Sequence, residues 1–134
     1  MKVLDTDVCI ELLRGNERVI EARQQTLEEV ATTWVTACEL SYGAAKSHSP
    51  RKNQMLVSEF LATLRIVGLN HPAAERFGQI KSTLERTGNI LADADLMIAS
   101  ITMAQGASLV TGNRRHYDRI DGLRIEDWIR GQGD

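Results

Sequence analysis

The sequence predicts an α/β fold with a mainly parallel central sheet flanked by helices, and three observations predict it. Short β-branched or apolar runs alternate with stretches whose apolar residues recur at helical spacing. A chain of 134 residues, 43% hydrophobic, is the size of one ordinary domain with its own core. Only Pro50 and Pro72 interrupt it, with no Ser/Gly-rich linker, low-complexity tract or internal repeat. One domain over residues 1–134 is expected.

The elements follow in order. "MKVLD" is an apolar run ending in a turn, hence a buried first strand, and "VCIELLRG" follows as a helix stopped by Gly15. "NERVIEARQQ" is a second helix, capped by Asn16. The β-branched "EVATTWV" reads as strand two, and residues 36–47, "TACELSYGAAKS", as a helix whose apolar face carries Ala37, Leu40 and Ala44. Pro50 opens an amphipathic helix through "RKNQMLVSEFLATL", and "RIVGL" is the third strand. Asn70 caps a helix with Pro72 in its first turn, which runs to about Arg86 and stops at Gly88. After the loop "TGNILA", "DADLMIASITMAQ" is helical and ends at Gly106. "SLVTGN" is a strand leading to a turn, and "LRIEDW" a last short strand.

That order gives the acids their interest. In open α/β sheets ligands bind beyond the carboxyl ends of the strands. Asp5, Glu39, Asp95 and Asn113 all fall at such ends or in the first turn of a following helix, so one concave site could collect them. Each acid also has a capping reading. Asp5 or Asp7 can cap the helix near Val8, "TACE" fits a capping box of Thr36 and Glu39, and Asp93 can cap the helix that Asp95 enters. Their joint placement at three separate helix starts favours a site. Carboxylates without a histidine ligand suit a hard cation such as Mg²⁺ or Mn²⁺, and hence phosphodiester chemistry more than a zinc hydrolase. His48 and His71 lie beside remote loops; His116, near the fourth strand end, suits the surface or a phosphate contact.

Composition sets further bounds. Sixteen Lys+Arg against 18 Asp+Glu give a net charge of −2, which on its face argues against nucleic acid as a partner. Withdrawing Asp5, Glu39, Asp93 and Asp95 into a cation site turns the remainder positive, so local patches carry more weight than the total. Cys9 and Cys38 form neither a CxxC pair nor a spacing with histidine, and both read as small buried apolar side chains. No apolar run is long enough to cross a bilayer and no hydrophobic segment precedes the first acids, so a soluble, cytoplasmic protein without membrane contact is expected.

Four motifs, "LDTDV", "TACELSYGA", "DADLMIA" and "LVTGNRRHYDRIDGLRIEDW", stand in this order over nearly the whole length. In that combination the chain resembles the PIN-domain ribonucleases, specifically the VapC toxins of bacterial type II toxin–antitoxin modules. The resemblance implies a PIN-like α/β/α domain that hydrolyses RNA phosphodiester bonds with Mg²⁺, or Mn²⁺ in its place. Asp5, Glu39 and Asp95 take the family's acidic metal positions, with Asp93 as an additional candidate and Thr6 orienting ligands or phosphate. Many members carry an acid two residues after the threonine that closes the fourth strand; here, two after Thr111, stands Asn113, a weaker ligand. The resemblance further implies a homodimer and a VapB antitoxin that covers the active site and carries the complex to operator DNA.

Substrate contact reads less sharply. Arg14, Lys46, Arg51, Lys52, Arg114 and Arg115 are candidates for phosphate contact, against the plainer reading of a solvated face. Two each of Phe, Tyr and Trp offer no stacking platform for single-stranded bases, which favours recognition of a structured RNA such as tRNA by shape and backbone. Two other readings compete. "VLDTDV" also fits the start of a haloacid-dehalogenase-type phosphatase, with Asp5 as nucleophile and Asp7 as general acid. A non-catalytic PIN-like module that only binds antitoxin shares the fold, but leaves the acids without work.

Overall fold

A computed structural model describes residues 1–131. Its sheet has five strands: β1 (Lys2–Leu4), β2 (Val30–Thr33), β3 (Arg65–Val67), β4 (Ser108–Val110) and β5 (Ile125–Glu126). They lie in the order β3-β2-β1-β4-β5 and every neighbouring pair is parallel. The helices are α1 (Thr6–Leu13), α2 (Glu17–Gln25), α3 (Trp34–Ala45), α4 (Pro50–Leu61), α5 (His71–Arg86), α6 (Asp93–Ala104) and α7 (Arg114–Tyr117).

Parallel strands this short are held by what covers their faces more than by their own ladder. Side chains alternate across the sheet, so neighbouring residues of one strand enter different cores. Val3 and Leu109 pack with Leu84, Leu96, Ile98 and Tyr117 on one face. Leu4 and Val110 pack with Val8, Val19, Leu40, Val57 and Trp128 on the other. Val3, Leu4, Leu109 and Val110 are completely buried, each worth roughly 1.5–3 kcal/mol against exposure.

β1 lies at the centre because the chain crosses to β2 on one side and returns to β4 on the other. Leu4 is paired with both Thr32 and Val110. Asp5 is therefore the first residue beyond the switch point, beside Thr111 one step past the end of β4.

Several boundaries differ from the sequence reading. Strand two stops at Thr33, and Trp34 and Val35 belong to α3, because the Thr33 hydroxyl accepts the Thr36 N–H at 3.1 Å and starts the helix there. A local cap overrides the β preference of Trp and Val. The expected Thr36–Glu39 capping box is thereby corrected: Thr36 is the third helical residue and Glu39 lies beyond the first turn. Asp93 is not the cap of α6 either, since that position falls to Ala92 without a side-chain bond. The short helix α7 lies where the sequence suggested only a turn. Asn16 and Asn70 cap as expected, accepting the N–H of Val19 at 3.4 Å and of Ala73 at 3.0 Å. Gly106 ends α6 with a left-handed φ of 65°. Cys9 is buried, but Cys38 is exposed: it shares the outward stripe of α3 with Trp34 and Tyr42, at i and i±4.

Candidate active site

Asp5 is the fixed point of the site. It caps α1, its Oδ1 accepting the Thr6 N–H at 2.8 Å, while its Oδ2 accepts the Thr111 hydroxyl at 2.8 Å. Its backbone N–H continues the ladder to Val110 O at 2.9 Å, so β1 and β4 together set the carboxylate's position. The residue is only 7% exposed. Burial, and then the negative charge of Asp7, push its carboxyl up to about 6 from 3.8.

Glu39 reaches the same corner from α3. Thr6 Oγ1 donates to Glu39 Oε1 at 2.6 Å and lies 3.0 Å from Thr36 Oγ1. Thr6 thus touches two of the three acids, through its N–H and through its hydroxyl.

Asp95 comes from the first turn of α6 and is held by α7. Its Oδ2 is 2.8 Å from His116 Nε2, and its Oδ1 accepts the Tyr117 hydroxyl at 3.4 Å. Burial and the charges of Asp5 and Asp95 raise the Tyr117 hydroxyl far above its ordinary range, so it remains a proton donor facing both carboxylates. Neither His116 as a partner of Asp95 nor Tyr117 was legible beforehand; the one signal is that "HY" follows the β4 turn at a four-residue helix's reach.

The remaining candidates are distributed differently. Asp93 is paired with Lys81 at 3.0 Å on the exposed side of α6. Asn113 is exposed, and its backbone N–H donates to Thr111 Oγ1 at 3.0 Å. Arg114 donates to Ile125 O at 3.2 Å, and Arg114 and Arg115 border a cavity of about 540 Å³ with Asn113 and Arg130. Arg14 lies with Glu39 along an apolar groove formed with Ile10, Leu40 and Val57. Lys46, two turns beyond Glu39, sits over the Tyr42 ring with Nζ 4.7 Å from its centroid. Arg51 and Lys52 are exposed on α4.

Asp7 is where the phosphatase reading fails. Its Oδ2 accepts the Gly112 N–H at 2.9 Å and its Oδ1 is buried with no hydrogen-bond partner among the described residues, so it does not stand ready as a general acid beside Asp5.

The PIN domain family matches residues 2–123. The chain belongs to the PIN-domain family. Within it the relatives are VapC proteins. The tRNA(fMet)-specific endonuclease VapC of Salmonella typhimurium is 35% identical over 94% of this chain and 96% of its own length. Ribonuclease VapC2 of Haemophilus influenzae is 32% identical over 95% and 97%. The crystal structure of DNA-bound VapBC from Salmonella typhimurium superposes with a TM-score of 0.89 at 35% identity, covering 95% of this chain and 97% of that one. The PIN-domain chain described above is accordingly a ribonuclease of the VapC group, and the dehalogenase-type alternative is overturned by the family as well as by Asp7.

A cation for this PIN domain has to be tested against its donors. Among the described residues, no three His, Cys, Asp or Glu side chains are grouped closely enough to hold a metal ion by themselves. The donor set nonetheless fits a hard divalent ion. Such an ion takes one or two carboxylates and completes its shell with water and phosphate. The Asp5 carboxylate, pushed up by burial and then by Asp7, is favoured in its charged form by a positive charge beside it.

Proposed function

We propose that this chain is a Mg²⁺-dependent endoribonuclease toxin of a VapBC module, with Mn²⁺ as a substitute ion. It cuts a structured RNA, tRNA in the first instance, and so arrests translation and growth. The observation that carries the reading is the joining of Asp5, Glu39 and Asp95 at one end of the sheet through Thr6, Thr111 and Tyr117. The tRNA substrate is supported by the similarity to the tRNA(fMet)-specific endonuclease of Salmonella typhimurium. A VapB-type antitoxin, and operator DNA reached through it, are supported by the DNA-bound VapBC neighbour. The homodimer and the cytoplasmic location belong to the same proposal, and no helix among the described residues is long and apolar enough to cross a membrane. The non-catalytic module is the weaker reading, because it gives the raised Asp5 carboxyl nothing to do.

Asp5 and Asp95 are the residues that would hold the cation, with Glu39 reaching it directly or through water. The bound ion supplies charge stabilisation at the scissile phosphate and an acidified water. Thr111 and the Thr6 N–H fix the two Asp5 oxygens, so that carboxylate enters the reaction already oriented. Thr6 holds Glu39 by one oxygen and leaves the other to accept a proton from the attacking water. Tyr117, kept protonated, and His116 orient Asp95 from behind. Arg114 and Arg115, on the rim of the neighbouring cavity, would meet the flanking phosphates.

The test is direct. Brief induction in cells, followed by sequencing of new RNA 5′ ends, should reveal one or a few cleavage positions in structured RNA. The purified chain should reproduce them with Mg²⁺ and lose them in EDTA. Intact RNA in both settings would refute the proposal.

A further inference from the structure

The loop that closes β4 is gripped from its far side by residues the proposed chemistry leaves unused. Thr111 is the contact of this loop with Asp5, and its hydroxyl has one proton to give. Because the Asn113 N–H donates to Thr111 Oγ1 at 3.0 Å, the hydroxyl proton is turned toward Asp5 Oδ2, 2.8 Å away. The direction of the Asn113 N–H is set in turn by the Gly112–Asn113 peptide plane.

Both peptide planes around Gly112 are fixed by side chains. Its N–H, in the plane shared with Thr111, donates to Asp7 Oδ2 at 2.9 Å. Its carbonyl, in the plane shared with Asn113, accepts from Arg130 Nη1. A side chain at the centre of this grip would displace its neighbours. A Cβ on Gly112 would lie 2.8 Å from Ile129 Cδ1 and 3.0 Å from Asp7 Oδ2. Asp127 shapes the segment that brings Arg130: its Oδ1 accepts the N–H of Ile129 at 2.8 Å and of Arg130 at 2.9 Å. Its Oδ2 lies 3.9 Å from Arg130 Nη1.

Asp7 also makes this arrangement costly, since its second oxygen is buried without a hydrogen-bond partner among the described residues. Exceptions of this kind are retained where a site needs them.

We propose that Asp7 and Arg130 are positioning residues which lock the two peptide planes of Gly112 and thereby hold the Thr111 hydroxyl on Asp5. The inference rests on the ribonuclease reading and adds the segment around 127–130 to the active-site framework. Both act through Thr111.

The test combines kinetics with amide exchange. Asp7→Ala removes the acceptor, and kcat should fall by up to about a hundredfold, the scale of a small misplacement of reacting groups. Asp7→Asn keeps an acceptor for Gly112 and should recover most of that loss. KM for RNA should move by less than about twofold in each, because the contact is made to the enzyme and not to substrate. Arg130→Met, at a side chain 72% exposed, keeps the question answerable should Asp7→Ala fail to fold. In both loss variants the Gly112 and Asn113 amides should exchange faster while those of the α6 core do not. Combined with Thr111→Val, Asp7→Ala should add little further loss of kcat. Multiplying losses in the double variant, or unchanged Asn113 exchange in Asp7→Ala and Arg130→Met, would overturn the proposal. Wild-type protein that cleaves no RNA would instead count against the ribonuclease reading, and the exchange data would still decide the grip.

Discussion

Thr6 Oγ1 donates to Glu39 Oε1 at 2.6 Å across 33 residues of sequence. The bond joins the first turn of α1 to the middle of α3, and the same threonine offers its N–H to Asp5. One small residue therefore ties two of the acids to one corner of the sheet.

Glu39→Gln tests that relationship. Glutamine keeps an oxygen for the Thr6 hydroxyl, and Thr33 rather than residue 39 caps α3. Melting in EDTA should therefore be unchanged. Cleavage in Mg²⁺ should fall roughly a hundredfold or more, the scale of one acid–base contribution. Normal cleavage by the variant would remove Glu39 from the chemistry.

Asp5→Asn retains the cap on Thr6 but withdraws a charge that a cation needs. Growth arrest on induction should vanish, while folding and capture by antitoxin persist. Arrest at wild-type strength would show that Asp5 is not the principal ligand.

The raised carboxyl of Asp5 predicts a pH dependence with a definite sign. Folded, the group is pushed up to about 6 by burial and then by Asp7; unfolded, it titrates at 3.8. Between these values the folded state holds a proton that the unfolded state has released, so this group's contribution to stability grows as pH falls from 6 to 4. The full difference is on the order of 3 kcal/mol. Without divalent ion, the wild type should gain stability over Asp5→Asn as pH is lowered through this window. Mn²⁺ binding near pH 6 should release protons, measurable by calorimetry in buffers of different ionisation enthalpy. Equal pH slopes in the two proteins would reject the assignment.

The α3 cap is a separate matter of stability. Thr33→Ala should cost about 1 kcal/mol, and Thr33→Ser should restore most of it. A denaturant titration reads both. If Thr36→Ala were the costlier change and Thr33→Ala neutral, the helix would begin where its sequence first suggested.

The sequence by itself determined which segments alternate between strand and helix, and it marked Asp5 and Asp95 at the starts of helices beyond strand ends. Those features are local: helical periodicity, β-branched runs, and the caps Asn16 and Asn70 act over a few residues. The start of α3 was locally ambiguous, because Thr33 and Thr36 both make good caps and Trp34 and Val35 suit a strand. Only tertiary structure decided that Thr33 wins, since Thr36 is buried beside Thr6 and Glu39 must turn toward it. The exposure of Cys38 was decided in the same way, by which side of α3 meets the core. The bonds from Thr111 to Asp5 and from Gly112 to Asp7 span 106 and 105 residues, and they exist because β4 lies beside β1. Strand order is a global choice about which apolar faces cover one another, so no local stretch of sequence could announce that His116 stands behind Asp95 or that Asp7 holds Gly112.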